Sequence, residues 1–222
     1  METIVNIISA QYVTHNVKQF RLQKPAGFTF TPGQATELSV NHPDWKDKKN
    51  PFTFTSLAHD PYLEFTIKIY PDSPEGVTNQ LSKLVPGDEL ILRDAWGAIE
   101  YKGPGYFIAG GAGITPFIAI LRDLNNQRKL AGNKLFFSNK TDKDIILADE
   151  LKSMLGPDAV FLISGQKDSI HDTRRIDEAF LKAEVSDFTK HFYVCGPDAM
   201  VEEINGILSG LGADADSVVF EK

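Results

Sequence analysis

The chain has 222 residues, of which 42% are hydrophobic and 24% charged, with 23 basic against 30 acidic side chains. That composition excludes disorder, a collagen-like chain and a disulfide scaffold, and the net charge of −7 argues against bulk attraction to nucleic acid or an anionic membrane. One cysteine makes neither an internal disulfide nor a cysteine-ligated iron–sulfur cluster.

The start, from Met1 to Asn6, has neither a basic stretch nor a cleavable apolar one. No signal peptide is expected, and a cytoplasmic location is. Strands are expected over 4–13 and 17–23, broken at His15-Asn16, then over 36–40, 52–57, 63–70 and 89–93, with a short helix over 77–84. Turn signals fall at Pro32-Gly33, His59-Asp60-Pro61, Pro71-Asp72 and Pro86-Gly87-Asp88. Many short strands at this spacing predict a small antiparallel barrel or sandwich. Near residue 100 the rhythm changes. Strands over 106–109, 134–138, 160–164, 192–195 and 217–220 alternate with helices over 116–125, 145–155, 175–183 and 198–211. That alternation predicts a parallel sheet with helices on both faces. The expected domains are therefore an antiparallel β-barrel or sandwich over 1–100 and an α/β domain over 101–222. The apolar run over 106–121 contains Gly110, Gly111, Gly113 and Pro116 and is short of the ~20 residues of a span, so no membrane span is expected.

Four segments carry possible chemistry. Asn50-Pro51-Phe52-Thr53-Phe54-Thr55-Ser56 puts Phe52 and Phe54 on one strand face and Thr53 and Thr55 on the other. By itself it reads as an edge strand. Gly76-Val77-Thr78 reads as a helix start with bare amides, or as a plain loop. Gly110-Gly111-Ala112-Gly113-Ile114-Thr115-Pro116 joins a strand to a helix. It is either a tight turn or a place where backbone amides meet an anion. Cys195-Gly196-Pro197-Asp198-Ala199-Met200 follows a later strand of the same sheet, where a lone cysteine is often an inert small hydrophobe. Two glycine-bearing strand ends in one parallel sheet tilt the reading toward a nucleotide. The five histidines show no metal-ligand spacing, and no metal is expected.

Taken in order, these segments and the turn Pro32-Gly33-Gln34 resemble the ferredoxin–NADP reductase superfamily over nearly the whole chain. Asn50 to Ser56 resembles its Arg-x-Tyr-Ser flavin motif, or the His-Pro-Phe-Thr form. Gly76 to Thr78 resembles its Gly-x-x-Ser/Thr turn, Gly110 to Pro116 its Gly-Gly-x-Gly-Ile-Thr-Pro, and Cys195 to Met200 its Cys-Gly-Pro-x-x-Met. The resemblance implies a barrel binding FAD and an α/β domain binding NADPH or NADH. Thr53 and Cys195 would stand nearest the chemistry, Thr53 bonding near the reactive flavin nitrogen and Cys195 beside the nicotinamide. Phe52 would pack on the flavin ring, within the segment Asn50-Pro51-Phe52-Thr53. The backbone of Ile67, Lys68 and Ile69 would line the flavin tail, and Gly76, Val77 and Thr78 would hold its pyrophosphate. Gly111, Gly113 and Thr115 would hold the pyridine nucleotide, with Gly110, Ile114, Pro116, Gly196, Pro197 and Met200 completing the two turns. Ser138, Lys140 and Ser164 would border the nucleotide. Phe220 stands where family members often carry an aromatic over the flavin, or is a core strand residue.

The implied activity is hydride transfer from NAD(P)H to FAD, with electrons passed to an external flavodoxin, ferredoxin or oxygenase component. A flavin or ferric reductase with loosely bound flavin, passing electrons to free flavin, is the alternative within enzymes. A non-catalytic binding module is the alternative outside them. Asn50 replaces the family's phosphate-pairing arginine, and Lys48, Lys49 or Lys68 is expected to compensate. Ser164-Gly165-Gln166-Lys167 replaces the Ser-Arg common in NADP enzymes, leaving Lys140, Lys167 and Arg174 as cations. Weak discrimination with a lean toward NADH is expected. Alkylation of Cys195 is expected to block the reaction, and bound nucleotide to protect against it.

Overall fold

The computed structural model describes residues 2–97 and 99–219. The chain divides into two compact units, Met1–Ala98 and Ile99–Lys222. In the first, β1 (Thr3–Tyr12), β2 (Val17–Gln23), β3 (Ala35–Val40), β4 (Asn50–Thr53), β5 (Tyr62–Lys68) and β6 (Glu89–Leu92) form one antiparallel sheet in the order β4-β3-β6-β1-β2-β5. Its two edges meet, because Phe54 bridges to Phe65 and the Thr55 amide donates to the Glu64 carbonyl at 2.8 Å. The sheet is thereby a nearly closed barrel. The strand expected over 52–57 is instead divided: β4 pairs with β3 only as far as Thr53, and the chain then turns to β5. Closure requires this change of partner.

Alternation along the strands fills the barrel. Phe20, Leu22, Leu38, Phe65 and Leu90 are fully buried in one core. Phe54 joins them, stacked on Phe30 at 4.1 Å and 5.0 Å from Phe65. Thr53 and Thr55 therefore face outward, as the period of two demands. Lys18 shares the inward register of Phe20. Its ammonium reaches the end of the barrel and donates to the carbonyls of Ser82 and Leu84, both at 2.8 Å. These bonds satisfy main-chain acceptors at the end of the short helix α1 (Val77–Ser82).

The second unit runs β7 (Gly105–Gly110), α2 (Thr115–Asn126), β8 (Lys134–Asn139), α3 (Ala148–Leu155), β9 (Ala159–Ile163), α4 (Glu178–Glu184), β10 (His191–Gly196), α5 (Asp198–Gly210) and β11 (Ala215–Val219). The sheet is parallel throughout, in the order β11-β10-β7-β8-β9. Ile108, Phe136, Leu162 and Val194 pack with Phe180 and Leu181 of α4 and with Val201, Ile204 and Leu208 of α5. On the other face Phe107 meets Phe117 of α2 edge-on at 5.1 Å. The helix expected over 145–155 starts only at Ala148, after a 3-10 turn over Asp142–Asp144 and a left-handed Leu147. The helix expected over 175–183 starts at Glu178, where the Asp177 carboxylate caps the Phe180 amide at 2.8 Å. Phe220 lies outside the described residues. Among the described residues no helix is long and apolar enough to cross a membrane.

The order reverses at β7: β8 and β9 lie to one side of it, β10 and β11 to the other. Ligands of open α/β sheets sit beyond the carboxyl ends of the strands at such a reversal.

Candidate functional site

In the barrel, the turn Pro32-Gly33-Gln34 enters β3 with Gly33 at φ +91°, a conformation that favours glycine. The Gln34 side chain accepts from the Thr31 amide at 2.8 Å, and its carbonyl accepts from the Phe54 amide at 3.1 Å. This fixes β4 beside β3, with Thr53 opposite Ala35. Thr53 is 2% exposed, and its Oγ1 has no hydrogen-bond partner among the described residues. Such an orphan costs about 1–3 kcal/mol, which an acceptor atom of a bound group would offset. Asn50 and Pro51 are exposed at the start of β4, and Phe52 is half-buried against the barrel core. On the facing side Ile67 and Ile69 are buried and Lys68 is half-buried. Gly76 opens α1 with no side-chain cap, ahead of Val77 and Thr78. The lysines expected to compensate for Asn50 are engaged: Lys48 pairs with Glu75 at 3.1 Å and Lys49 with Glu37 at 2.6 Å. Lys68 lies with its ammonium 5.4 Å over the Tyr70 ring. A cavity of about 560 Å³ lies elsewhere in this unit, lined by Phe28, Phe30, Gln34, Arg93 and neighbours, and none of the expected flavin residues borders it.

In the second unit the two glycine turns interlock. Gly110 ends β7, Gly111 to Ile114 form a 3-10 turn, and Thr115 and Pro116 begin α2. Gly111 has φ +51°. A side chain at Gly113 would collide with the Cys195 carbonyl, and one at Gly110 with the Met200 sulfur. A Cβ at Gly196 would stand 3.2 Å from the Gly110 amide nitrogen. Cys195 lies opposite Ala109 in the β10–β7 register, so both turns leave adjacent carboxyl ends at the reversal. Neither α2 nor α5 has a side-chain cap at its N-terminus, where Ile114 and Pro197 stand. Helix starts of this kind favour anions. The orphan Thr53 hydroxyl and this glycine cradle fit a flavin and a pyridine nucleotide respectively.

Cys195 is 0% exposed, and burial pushes its thiol pKa up. The expectation that alkylation reports on bound nucleotide is therefore replaced. Thiolate is the reacting form, and a buried thiol with a raised pKa supplies almost none. A maleimide at pH 7.5 (roughly a unit below an ordinary thiol pKa) should label the native protein far more slowly than the unfolded one, with or without nucleotide. Mass spectrometry over time checks this; fast labelling of the native chain would contradict it.

Ser138 pairs in register with Gly110, Lys140 is exposed beyond β8, and Ser164 spends its hydroxyl on the Asn139 carbonyl at 3.2 Å. Arg174 is no phosphate ligand in waiting. It binds Asp172 at 2.6 Å and Glu184 at 2.8 Å. Its guanidinium, by hydrogen bonding, holds both carboxyls below their ordinary pKa values. Depressed carboxyls stabilise the fold above their unfolded pKa values, near 3.8 and 4.5, and lose that contribution as the pH falls through the folded values. Arg174→Ala should cost under about 1 kcal/mol at pH 7, since the guanidinium is half exposed. Urea melts should show this difference disappearing in acid, and a difference that grew in acid would contradict the pairing.

From sequence, Asn139 falls in the segment Ser138 to Thr141, which borders a nucleotide ribose or caps the next element; its amide is 4% exposed with both polar atoms unpartnered among the described residues. Sequence reading missed the Asp142–Gln166–Ser169 cluster. Asp142 sits in Thr-Asp-Lys-Asp, where a cap explains the sequence fully. An acid just past the second strand of a parallel unit is the signal that could have found it.

Comparison with known proteins agrees with this geometry. A model of an FAD-binding domain family matches residues 3–140, and one of an oxidoreductase NAD-binding domain matches residues 107–205. The chain belongs to the ferredoxin–NADP reductase-like superfamily. It carries an FAD-binding domain and an oxidoreductase NAD-binding domain. The reductase component of a propane 2-monooxygenase from Rhodococcus jostii is 25% identical over 95% of the chain and 60% of that protein. An NADH-cytochrome b5 reductase 2 from Mycosarcoma maydis is 30% identical over 78% of the chain and 57% of that protein. The chain thus spans about six-tenths of these relatives' length. A ferredoxin NADP+ reductase from Neisseria gonorrhoeae, solved with bound FAD and NADP, superposes with a TM-score of 0.84 at 18% identity, covering 98% of each chain.

Proposed function

We propose that this chain moves electrons from NAD(P)H through FAD to an external acceptor, with residues 1–100 as the flavin domain and 101–222 as the nucleotide domain. The observation that carries the reading is the buried, unpartnered Thr53 hydroxyl, in a chain whose parallel sheet also interlocks two glycine turns at its reversal point. Bound FAD supplies the redox chemistry. The chain's residues bind and orient. Thr53 donates toward the reactive edge of the flavin ring, Phe52 packs on the ring, and Asn50 and Pro51 border it. The backbone of Ile67, Lys68 and Ile69 lines the flavin tail, and Gly76, Val77 and Thr78 hold the pyrophosphate. Gly111, Gly113 and Thr115 seat the nucleotide, and Cys195 stands beside the nicotinamide. None of these side chains acts as an acid, a base or a covalent nucleophile; rate comes from alignment.

The relatives' names, a monooxygenase reductase component and a cytochrome b5 reductase, support a protein acceptor such as an oxygenase component or a small redox protein. The test is a fluorescence titration with FAD and FMN, followed by anaerobic mixing with NADH and NADPH. About one flavin should bind per chain and bleach on mixing. Failure of both flavins to bind at saturation would remove the reading. A second reading, a reductase that releases its flavin, is favoured by the uncharged Asn50 and the engaged Lys48 and Lys49. Gel filtration separates the two, since a releasing enzyme emerges colourless.

A further inference from the structure

The loops that follow β8 and β9 are joined through one carboxylate. Thr141 and Asp144 close their 3-10 turn on themselves, the Thr141 amide and hydroxyl donating to Asp144 Oδ2 at 2.9 and 2.7 Å. Asp142 is directed elsewhere. Its Oδ2 accepts from Gln166 Nε2 at 2.9 Å, its Oδ1 accepts from Ser169 Oγ, and its own amide donates to Gln166 Oε1 at 3.1 Å. The Gly165 amide donates to the Lys140 carbonyl at 2.8 Å and the Ser164 amide to the Asn139 carbonyl at 2.9 Å. The carboxylate is thus held by side chains on a loop that is itself tied down by main-chain bonds.

Three features decide what this corner accepts. A carboxylate offers about four acceptor sites; Gln166 and Ser169 use one on each oxygen, so Asp142, which is half-buried, keeps capacity for a hydroxyl donor. A Cβ at Gly165 would stand 2.8 Å from the Lys140 carbonyl, so no arginine fork can be placed there without moving backbone. Arg174 is bound to Asp172 and Glu184. Lys140, Lys143 and Lys167 are exposed, and charges on long exposed stems are screened and unordered. A sugar phosphate carries about −1.5 to −2 charges at pH 7, which a fixed carboxylate repels. β8 neighbours the reversal strand β7, and an acid beyond the second strand of such a unit is placed to read a ribose 2′-hydroxyl.

We propose that Asp142, held in place by Gln166 and Ser169, accepts a hydrogen bond from the adenosine 2′-hydroxyl of NADH and excludes the 2′-phosphate of NADPH. The proposal rests on the reductase reading above and adds its nucleotide choice. The test is stopped-flow reduction of the FAD-loaded protein by NADH and by NADPH at one ionic strength, for the wild type and Asp142→Asn. The wild type should favour NADH by at least about tenfold in kcat/KM, and Asp142→Asn should lower that ratio by about tenfold, mainly by improving NADPH. FAD affinity should not change. On the wild type alone, 5′-AMP should compete with NADH more strongly than 2′-AMP does, which tests the proposal even if the variant fails to fold. An unchanged NADH-to-NADPH ratio in Asp142→Asn, or tighter binding of 2′-AMP, overturns the proposal while leaving the reductase reading intact. Absence of reduction by either nucleotide would instead sink the reductase reading and the proposal with it.

Discussion

Gly113→Ala is expected to slow reduction of the flavin by pyridine nucleotide about a hundredfold or more, while flavin binding is kept. The added methyl would meet the Cys195 carbonyl, a backbone group that cannot rotate away. Either the 3-10 turn over Gly111 to Ile114 or the end of β10 must shift. The surroundings give little room, since Ile114, Thr115 and Cys195 are all buried. Overpacking of this kind costs roughly 1–3 kcal/mol of stability, which a domain of this size can survive. The larger effect falls on geometry. A displacement near 1 Å at a positioning element costs on the order of a hundredfold in rate, and here it moves both turns proposed to seat the nucleotide. The flavin contacts are proposed for the other unit, so the bound flavin's spectrum and affinity should hold. Stopped-flow absorbance with NADH measures the rate, and a flavin titration measures the affinity. A wild-type rate in a folded Gly113→Ala protein would show that this turn is not the nucleotide seat.

Thr53→Val is expected to raise the stability of the flavin-free protein and to slow flavin reduction about tenfold. Valine keeps the shape of threonine and removes its hydroxyl. In the structure that hydroxyl is buried without a partner, so its removal should gain about 1 kcal/mol in the flavin-free protein. With flavin bound, the same hydroxyl is proposed to bond at the reactive edge of the ring. Loss of an alignment contact worth about 1.4 kcal/mol in the transition state costs tenfold. The two signs are the point of the experiment. A hydroxyl bonded only within the protein would lower stability on its removal and leave the rate alone. Urea denaturation of the flavin-free protein and single-turnover reduction of the loaded one measure the two quantities. A variant both less stable and equally fast would remove Thr53 from the site.

Much of this molecule was legible as pattern. Short strands divided by turn signals in the first hundred residues, and strand–helix alternation after them, pointed to a barrel or sandwich and to the parallel sheet, because turn chemistry and the burial of apolar runs act locally. Glycine turns such as Gly110 to Pro116 were legible for a similar reason: close backbone approach excludes a Cβ, and that leaves a mark at single positions. The structure supplied the reason for two of them, the Cys195 carbonyl against Gly113 and the Met200 sulfur against Gly110.

What sequence could not decide were partners distant along the chain. Lys48, Lys49 and Arg174 read as cations awaiting a phosphate, and each is bound to a carboxylate between 10 and 27 residues away. Cys195 read as an addressable thiol and is fully buried. Asp142 carried no role in the sequence and is the hub of two loops. Local periodicity and turn chemistry act over a few residues and are written in the order of the amino acids. Charge pairing, burial of one thiol and the anchoring of one carboxylate depend on which strand ends the sheet order sets side by side, and only the folded chain determines that.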